Sequence, residues 1–473
     1  MNKPVTRFGR DPYVPVQSYM HSTVPTFRFE AEIYDCEVVG EVPRELNGSM
    51  YRCGGDTAYP TMQGDNLNNG DGVMAAFHFE DGYVDFIQRY VKTERFLLER
   101  KNRRRLFGAY RNPYADDPIT SGSDRDNTGN TTAFVHHGKL FALREDSIPY
   151  ELDTVTLETL GVARFGRQPL RSKTMTAHPK IDPVTGEWWS YGQFSQKRLE
   201  GEMSLHVIDK DGNVIREEEF TLPYPGMTHD WAVTREHLIF HILPYTVDVA
   251  RVKAGGDFYA FDVDKPPMFG VMPRSGTTAD IRWFEAPGAG VAHFMNAFTQ
   301  GGTVHVDAPT HDGHFFTFFP ETHGRPAEFK PGVFSRFSFD PASGEMGIRP
   351  LSNALAGGMP EVDDRFAMLP YRYGFSSSRG GLVRYDVETG GRQEHTIEGS
   401  AQEPVFVPRT PDAPEGDGFL LAVVTRPDNR ADLLILDAMD IEAEPLATVR
   451  LPFSQPWLFH GCWRDAPAAR LPR

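Results

Sequence analysis

The sequence predicts an all-β fold of the propeller type, and two recurring patterns support this prediction. In the first, residues 77–86 hold two runs of alternating polarity on either side of Asp81-Gly82, the strongest short-range signal for a β-hairpin. In the second, an aspartate follows the apolar end of a strand and can accept backbone N–H bonds in the turn. This pattern occurs at Asp153, Asp182, Asp209, Asp340, Asp386 and Asp437. We interpret these segments as the outer hairpins of propeller blades, at irregular spacing.

The regions outside these hairpins complete the predicted organisation. Residues 1–30 contain four prolines and no sustained periodicity, so we expect an extended N-terminal arm. Residues 93–107 are rich in helix-forming residues and predict a short helix, and residues 308–335 predict a long loop. We expect the loop and the short helix to cap one face of a single domain over residues 1–473, because all-β propellers of this length often form one domain.

Composition and charge exclude several classes of partner. Of the 473 residues, 24% are charged and 40% are hydrophobic, which is ordinary for a folded protein, and the formal net charge is −16. Such an acidic chain has no electrostatic attraction for nucleic acid or an anionic membrane surface. The sequence shows neither the apolar core of a secretion signal nor the roughly 18 apolar residues of a membrane span. With three cysteines and no Cys-x-x-Cys spacing, we expect a cytoplasmic protein without stable membrane association, whose oligomeric state stays open.

Four of the 16 histidines share a setting that is typical of a buried site. Each lies near a predicted strand end among small or apolar residues, at His178, His229, His293 and His460. A propeller brings such positions together, because the innermost strand of every blade lies on its axis. Four imidazoles would form a neutral, all-nitrogen site that suits Fe(II), Cu or Zn, and open coordination positions favour iron with dioxygen. Spacing alone leaves a second interpretation, in which these histidines are core residues of a non-catalytic scaffold.

Two acidic residues are candidates for outer partners of these histidines. A ligating histidine needs a hydrogen-bonding group that fixes its tautomer, and Glu145 and Glu403 both lie beside apolar residues. The alternative for each is an exposed carboxylate. The sequence contains no P-loop, no Gly-rich dinucleotide turn, no His-Glu-x-x-His motif and no Gly-x-Ser-x-Gly elbow. A hydrolase or a nicotinamide-dependent enzyme therefore has no support.

Several motifs resemble those of the carotenoid cleavage oxygenase superfamily over nearly the whole length of the protein. They are Gly70-Asp-Gly72, Arg89-Tyr-Val-Lys-Thr-Glu-Arg-Phe96, Thr176-Ala-His178-Pro-Lys180, His229-Asp230, His293 with Asn296-Ala-Phe298, Glu403-Pro-Val-Phe-Val-Pro-Arg409 and Phe459-His-Gly461. Two further stretches, Tyr110-Arg-Asn-Pro-Tyr-Ala-Asp-Asp117 and His460-Gly-Cys-Trp463, are similar to the bacterial branch of lignostilbene dioxygenases and isoeugenol monooxygenase. Together these motifs are highly specific.

The resemblance implies a seven-bladed β-propeller with one non-haem Fe(II), for which the four histidines are the ligands and Glu145 and Glu403 the outer carboxylates. It also implies that the methyl group of Thr131 crowds the sixth position of the iron, and that the partners are dioxygen and a small aromatic alkene. In the stilbene-cleaving branch a tyrosine and a lysine bind the 4-hydroxyl group of the substrate. Tyr110 matches the tyrosine, but Arg144 occupies the lysine position. Arginine can hold a phenolate but cannot act as a base near neutral pH, because its pKa is above about 12.

A second departure from the family concerns its third outer carboxylate, whose position is Gly358 in this protein. One histidine then lacks its acidic partner, or Glu361 or a water replaces it. We expect an Fe(II) oxygenase that cleaves the side-chain double bond of a 4-hydroxyphenyl alkene, such as isoeugenol, 4-vinylguaiacol or a hydroxystilbene. One alternative is an apocarotenoid-cleaving oxygenase, for which Leu97-Leu98 and Phe315-Phe316 make a poor membrane patch. The other is the non-catalytic scaffold.

Overall fold

Antiparallel strands dominate the computed structural model, which describes residues 16–17, 23–24, 26–59, 65, 67–167, 169–325 and 330–465. The prediction of a mainly β fold is therefore confirmed. Most of the predicted arm over residues 1–30 lies outside the described residues. Of the part that is described, β1 (Val16–Gln17) pairs antiparallel with β2 (Thr23–Val24). The amide groups of Phe27 and Arg28 donate to the Asp56 carboxylate at 3.1 and 2.7 Å, which ties this segment to the body.

The first antiparallel meander contains the hairpin that the sequence predicts at residues 77–86. Its strands are β3 (Ala31–Ile33), β5 (Gly48–Asp56), β6 (Asp71–Glu80) and β7 (Tyr83–Tyr90), whereas β4 (Glu37–Gly40), between β3 and β5 in the sequence, belongs to another sheet. β5, β6, β7 and β3 are neighbours in that order. Between β6 and β7, Asp81 and Gly82 have φ angles of 52° and 83°. Tight two-residue hairpin turns require positive φ at these positions, so the predicted turn is confirmed.

A short helix, α1 (Glu94–Asn102), lies within the range where the sequence predicts one. Thr93 caps it, because the threonine side-chain oxygen accepts the Phe96 N–H at 3.1 Å. The helix ends before residue 107, since Arg103 adopts a left-handed conformation with φ 54°. Short 3-10 turns lie at Leu67–Asn69, Pro113–Ala115 and Pro118–Thr120. Among the described residues, no helix has the length and apolar character needed to cross a membrane.

Two four-stranded antiparallel meanders follow. The first consists of β8 (Thr132–His136), β9 (Lys139–Leu143), β10 (Tyr150–Leu152) and β11 (Thr159–Val162). The second consists of β12 (Lys180–Ile181), β13 (Trp188–Gln193), β14 (Glu202–Ile208) and β15 (Val214–Thr221). In each meander consecutive strands are hydrogen-bonded neighbours, as in the blades of a propeller.

Two larger sheets form the middle of the described chain. One holds β16 (Gly226–Met227), β17 (Ala232–Val233), β18 (His237–Val247), α2 (Val249–Lys253), β19 (Tyr259–Phe261), β20 (Met268–Pro273), a 3-10 turn at Thr278–Asp280 and β21 (Arg282–Glu285). The other holds β22 (Gly290–Val291), β23 (Asn296–Gln300), β24 (Thr303–His311), β25 (Val333–Asp340) and β26 (Glu345–Leu355). The long central strands β18 and β24 each pair with two short strands on one side. Each of these pairs of short strands flanks a gap in the sheet.

The loop predicted over residues 308–335 is shorter in the structure. β24 continues through His311 and β25 begins at Val333, so the connection spans residues 312–332, of which 312–325 and 330–332 are described. Its first predicted residues belong to a strand because Ala308, Pro309 and Thr310 pair with β25. The proline and glycine content of this region conceals that pairing in the sequence.

The last strands of the described chain return to the first ones. They are β27 (Gly358–Val362), β28 (Tyr373–Ser378), β29 (Gly381–Asp386), β30 (Gly391–Thr396), β31 (Ser400–Ala401), β32 (Val405–Pro408), β33 (Gly418–Thr425), β34 (Ala431–Asp437), β35 (Ala447–Arg450) and β36 (Leu458–Asp465), with a 3-10 turn at Asp364–Phe366. β4 adds to β35, and β36 adds to β5. β36 also meets β8 through one parallel bridge between His460 and Thr132. The two ends of the described chain are thus joined by two separate strand pairings.

The six aspartates of the predicted outer hairpins all bind the backbone of their own turns. Each accepts at least one N–H from a residue two to four positions further on, at 2.8 to 3.2 Å, through the carboxylates of Asp153, Asp182, Asp209, Asp340, Asp386 and Asp437. In these turns the carboxylate satisfies donors that the strands leave open. This part of the sequence prediction is confirmed.

The core lies between the faces of neighbouring sheets. Apolar side chains of β5 to β7 pack against those of β32 to β35, and side chains of β18 and β20 pack against those of β24 and β25. Strands such as β33, buried on both faces, are almost continuously apolar, since neither face meets water. Hydrophobic burial between sheets holds their strand ends in place, and those ends carry the candidate site.

Candidate metal centre

Four imidazole rings meet between strand ends of different sheets. They belong to His178, His229, His293 and His460, and the ring centroids lie 4.6 to 5.1 Å apart for the five closest pairs. One nitrogen atom of each of His178, His229 and His293 lies within 4.8 Å of the other two. The Nε2 atoms of His229 and His293 are 3.1 Å apart. The structure therefore brings together all four histidines that the sequence singles out, and three of them form a group that can hold a metal ion.

The backbone delivers each ring from a break or an end in the strand pattern. His178 comes shortly before β12, His229 lies between β16 and β17, and His293 lies between β22 and β23. His460 lies inside β36, at an irregularity in the pairing with β5. At such positions the side chain is free from the alternation that a regular strand imposes, so it can turn towards a common centre.

Burial favours the neutral form of two of these imidazoles. Desolvation, and after it the neighbouring imidazoles, hold the pKa of His178 and of His293 well below the usual value. The Nε2 atom of His178 is buried and has no hydrogen-bond partner among the described residues. A buried nitrogen without a partner costs free energy, whereas a metal ion accepts its lone pair. A group of imidazole nitrogens, one of which is buried without a hydrogen-bond partner, fits a first-row transition metal.

Two glutamates, the half-buried Glu145 and the buried Glu403, hold the outer nitrogens of two rings. Glu145 Oε1 lies 2.8 Å from His229 Nδ1, and Glu403 Oε1 lies 2.8 Å from His460 Nδ1. A carboxylate at Nδ1 fixes the proton there and leaves Nε2 as the ligating atom. Burial opposes the ionisation of Glu145, but the hydrogen bond to His229 and the charges of two arginines hold the pKa of Glu145 well below its usual value. Both glutamates thus lie where outer partners are expected.

Counter-charges accompany both glutamates. Glu403 Oε2 accepts from Arg52 Nη1 at 3.0 Å and from the Gly461 N–H at 2.9 Å. Arg111 Nη2 lies 3.4 Å from Glu145 Oε2. Buried carboxylates require such compensation, because an unpaired charge in the interior is costly.

His293 differs from His229 and His460, because no carboxylate among the described residues hydrogen-bonds to its ring. Gly358, the position of the third family carboxylate, lies at the start of β27, and a Cβ atom built there would meet nothing within 4 Å. Glu361 lies further along β27, and His293 and Glu361 line the same polar cavity beneath the rings. Burial, and after it the charges of Asp364 and Glu403, raise the pKa of Glu361 well above its usual value. The replacement of the third carboxylate by Glu361 or a water stays a prediction.

An aromatic cavity lies on the other side of the rings. Its walls carry the apolar side chains of Met227, Phe316, Phe318, Phe319, Met359 and Phe459. Its polar lining includes Tyr110, Arg111, Thr131, Arg144, Glu145, Gln193 and Tyr259, and the floor is formed by His229, His293 and His460. The predicted loop thus contributes three phenylalanines to this cavity. Helix α1 contributes no residue to this lining, and its buried side chains are Arg95, Phe96 and Glu99, so its part in the cap stays a prediction.

Tyr110 lies between two guanidinium groups at the wall of this cavity. The Cζ atoms of Arg111 and Arg144 are 5.1 and 5.3 Å from the centre of the Tyr110 ring. Burial raises the pKa of Tyr110 to about 12, although both arginines act in the opposite direction. Near neutral pH the Tyr110 hydroxyl is therefore protonated and can donate a hydrogen bond.

A side-chain network fixes Arg144 beside Thr131. Arg144 Nη1 donates to Asn130 Oδ1 at 3.1 Å, and the Thr131 hydroxyl donates to the same oxygen at 3.2 Å. Asn130 Nδ2 in turn donates to the carbonyl oxygens of Asn68 and Gly70. The planar fork of an arginine held at one end presents its remaining N–H groups in a defined direction.

Sequence reasoning missed several residues of this site. Asn130 precedes Thr131, and Arg111 follows Tyr110 within a motif that the sequence shows, so adjacency was the available signal. Gln193 and Tyr259 reach the cavity from β13 and β19, and nothing in their local sequence marks them. Asp230, next to His229, binds parts of two other histidine segments, which only the fold reveals.

A mainly β scaffold brings histidines that can hold a metal ion to the base of an aromatic cavity, an arrangement that fits a metal-dependent enzyme. The chain belongs to the carotenoid cleavage oxygenase family: the family model described as retinal pigment epithelial membrane protein matches residues 25–465. The resemblance seen in the sequence motifs is thereby confirmed. No part of this assignment depends on a short motif alone, because the match spans most of the protein.

Two characterised relatives and two solved structures show the same relationship. Isoeugenol monooxygenase from Pseudomonas putida is 41% identical over 463 residues, covering 93% of this protein and 96% of the relative. Lignostilbene-α,β-dioxygenase isozyme III from Sphingomonas paucimobilis is 37% identical, covering 97% and 99%. The crystal structure of Pseudomonas brassicacearum lignostilbene dioxygenase superposes with a TM-score of 0.89 at 35% identity, covering 93% and 97%. The cobalt-substituted Synechocystis ACO gives 0.81 at 26% identity, with the same coverage.

Proposed function

We propose that this protein is a non-haem Fe(II) oxygenase that uses dioxygen to cleave the double bond in the side chain of a 4-hydroxyphenyl alkene. The products are aromatic aldehydes of the vanillin type, and the candidate substrates are isoeugenol, 4-vinylguaiacol and hydroxystilbenes. One observation carries the proposal. A single aromatic cavity has the imidazole group at its floor and Tyr110 and Arg144 in its polar lining, so one phenolic alkene can reach both. The relatives named for isoeugenol and lignostilbene support this choice of substrate.

His178, His229, His293 and His460 would hold the iron. Four neutral nitrogen ligands leave coordination positions open, and Fe(II) bound there would supply the activation of dioxygen. Glu145 and Glu403 orient two of the rings. Thr131 lines the cavity beside the rings, which is consistent with a role in limiting access to one of those positions.

Tyr110 and Arg144 would bind the 4-hydroxyl oxygen of the substrate. The neutral Tyr110 hydroxyl donates a hydrogen bond to that oxygen, and the Arg144 cation favours its ionised form. Arg144 remains protonated near neutral pH, so it stabilises a phenolate whose proton passes to solvent water as the substrate binds, and it does not accept that proton itself. Electron density from the phenolate oxygen delocalises through the ring onto the alkene, which makes the double bond more reactive towards oxygen.

The phenylalanines of the 312–332 connection would orient the ring and exclude water. Phe316 packs edge-on against His229, with ring centroids 5.7 Å apart, and Phe318 and Phe319 continue the aromatic wall. Such surfaces contact a planar substrate over both faces at little conformational cost. A dry cavity also strengthens the interaction of Arg144 with a phenolate.

The arrangement of the sheets is part of the same proposal. The meander of β5, β6, β7 and β3 and the meander of β8 to β11 are joined through β36 into one nine-stranded sheet. Five further sheets of four to six strands lie in the described residues. We take these seven units as the blades of one propeller that forms a single domain over residues 1–473. The central position of the imidazole rings supports this arrangement, because inner strands of all blades converge at the axis.

Product chromatography tests the proposal. Iron-loaded protein is incubated in air with isoeugenol, 4-vinylguaiacol, resveratrol and an apocarotenal, and each product is identified by mass. We expect an aromatic aldehyde from at least one phenolic alkene and little turnover of the apocarotenal. A 4-methoxy analogue of the preferred substrate should react about 10-fold or more slowly, since it cannot form the phenolate. Equal turnover of the methoxy analogue would disprove the phenolate step, and turnover of the apocarotenal alone would disprove the substrate class.

Two variants test the polar lining. Tyr110→Phe removes one hydrogen bond to the 4-oxygen and should lower kcat/KM for the phenol about 10-fold. Arg144→Lys keeps the charge but changes the geometry and allows the group to act as a base, so it should shift the pH profile of kcat. Tyr114→Phe is the control, because the Tyr114 side chain is exposed and does not line the cavity. Unchanged kinetics in Tyr110→Phe would contradict the assigned role of Tyr110.

A further inference from the structure

Asp230 and Trp231 follow His229 directly, and their side chains turn away from the aromatic cavity into the protein. Asp230 is 3% exposed and Trp231 is fully buried. Asp230 Oδ1 accepts the Trp231 N–H at 2.7 Å and lies 2.9 Å from Lys180 Nζ. Asp230 Oδ2 accepts the Phe294 N–H at 2.8 Å. The Trp231 indole N–H donates to the carbonyl oxygen of His178 at 2.9 Å.

These bonds connect three segments that are distant in sequence. Lys180 lies two residues after His178, and Phe294 lies one residue after His293. The carboxylate that follows His229 therefore contacts the segment of each of the other two histidines in the three-histidine group. Each contact reaches the main chain or a side chain next to the histidine and leaves the imidazole ring itself untouched.

These non-covalent contacts of Asp230 and Trp231 explain how the two histidines whose rings have no outer carboxylate are held. Glu145 and Glu403 hold the rings of His229 and His460 through Nδ1. Among the described residues no carboxylate binds the rings of His178 and His293, although these two belong to the same cluster. We propose that Asp230 is the positioning residue for His178 and His293, and that it sets the distance between their segments and that of His229.

This inference rests on the proposed metal centre and adds a residue to it. A carboxylate has enough acceptor sites for two amide groups and one ammonium group at the same time. An asparagine has one oxygen and one NH₂ group. In Asp230→Asn, one of the two backbone N–H groups therefore faces another donor, and Lys180 loses its counter-charge. The segments of His178 and His293 are then no longer fixed by the same side chain.

A Co(II) titration of the purified full-length protein tests the inference, with the visible absorbance of the bound ion as the signal. We expect Asp230→Asn to bind Co(II) about 10- to 100-fold more weakly than the parent, the usual effect of losing an outer partner of a metal site. The absorbance spectrum should also change, because the ligand geometry changes. A thermal melt of the metal-free proteins shows separately how much each variant destabilises the fold.

Asp182→Asn is the matched control. Asp182 is also 3% exposed, and its carboxylate likewise binds two backbone N–H groups, of Val184 and Thr185, and one cation, Arg274. Its bonds to Val184 and Thr185 stay within an outer turn. We therefore expect this variant to lower the melting temperature while the dissociation constant for Co(II) stays within about 2-fold of the parent value.

Lys180→Gln provides a second test if Asp230→Asn does not fold. It removes one of the three contacts of Asp230 and should weaken Co(II) binding by a smaller factor, about 3-fold. Parent-like affinity and spectrum in either folded variant would overturn the role of Asp230. Equal weakening in Asp182→Asn would also overturn it, since the effect would then follow fold stability. A parent protein that binds no Co(II) would instead overturn the metal centre itself.

Discussion

Glutamates hold the rings of His229 and His460, whereas in the described part of the protein no carboxylate binds the rings of His178 and His293. In the first pair a glutamate lies 2.8 Å from Nδ1 and so fixes the tautomer before any metal arrives. In the second pair the contacts end at the main chain, through the Phe294 amide and the His178 carbonyl. The difference teaches that one metal centre can combine two ways of fixing its histidines. A carboxylate bound to the ring determines which ring nitrogen carries the proton, whereas a hydrogen bond to the main chain determines where the histidine lies.

Alanine variants of one histidine from each pair should give the largest effects and separate the two kinds. Both His229→Ala and His293→Ala should reduce bound iron from about one per protein molecule to a small fraction, and turnover should become undetectable. Only His229→Ala leaves a half-buried glutamate, Glu145, without its histidine partner, which costs about 1–3 kcal/mol of unfolding free energy. Metal analysis and chemical denaturation of the metal-free proteins measure the two effects.

The control for this pair is His305→Ala. His305 lies on β24, and its Nδ1 atom is 2.9 Å from the Ser338 hydroxyl, outside the imidazole group. It should retain full iron content. The comparison fails if His293→Ala destabilises the metal-free protein as much as His229→Ala does.

Glutamine variants of the two outer carboxylates should give the next largest effects. Gln at position 145 or 403 still accepts from Nδ1–H but carries no charge, so the basicity of the ring falls and the dissociation constant for the metal should rise about 10-fold in each case. Glu403→Gln should be the more destabilising, because Arg52 is fully buried and loses its charged partner. Isothermal titration with Co(II) and thermal melts give the two quantities. Unchanged metal affinity in both variants would show that the hydrogen bonds from the glutamates to the rings do not strengthen metal binding.

Gly358→Glu is the variant that should make the two pairs more alike. A Cβ atom at Gly358 meets nothing within 4 Å, so the backbone there accepts a side chain. The family resemblance of the sequence implies a carboxylate at this position, and a glutamate there should tighten metal binding by a few fold, about the effect of one outer hydrogen bond. Gly358→Gln is the control for side-chain volume. Looser metal binding in Gly358→Glu than in Gly358→Gln would contradict the expected pairing with a histidine.

The smallest effect is expected far from either pair, in an outer hairpin. Asp153→Ala removes an acceptor for the N–H groups of Val155 and Thr156 and should lower the unfolding free energy by about 1 kcal/mol. Metal affinity should not change, because the two regions share no side chain. A change in metal affinity would show that the outer turns and the imidazole group are coupled.

Residue patterns within a turn were enough to predict the outer hairpins, but they did not predict where longer elements such as β24 and α1 end. An aspartate after an apolar strand end binds its own turn whatever surrounds it, so the sequence suffices for Asp153 or Asp386. The strand character of residues 308–311 depends instead on pairing with β25, more than twenty residues away. Likewise α1 ends where Arg103 adopts a left-handed conformation, although the sequence there continues with helix-forming residues.

The candidate site shows the same division. The histidines were singled out by their setting near predicted strand ends and the glutamates by their apolar neighbours, and the family resemblance then implied a role for both. The geometry brings each glutamate to one ring. The connecting roles of Asn130 and Asp230 were not predicted, since each acts on groups that only the fold brings near, Arg144 in one case and Phe294 in the other. A residue whose role is to connect distant segments leaves no periodic or spacing signal in the sequence.

The position of His460 on β36 also has a consequence for how the molecule is made. β36 completes the sheet of β5 and meets β8, yet the ribosome synthesises it after every other described strand. Three imidazole rings are present in the growing polypeptide long before the fourth. The edges of β5 and β8 likewise remain unpaired with β36 until that strand has been synthesised. Completion of the sheet and completion of the ring cluster are therefore a single event. A polypeptide that stops before residue 458 lacks both this strand and the fourth imidazole ring.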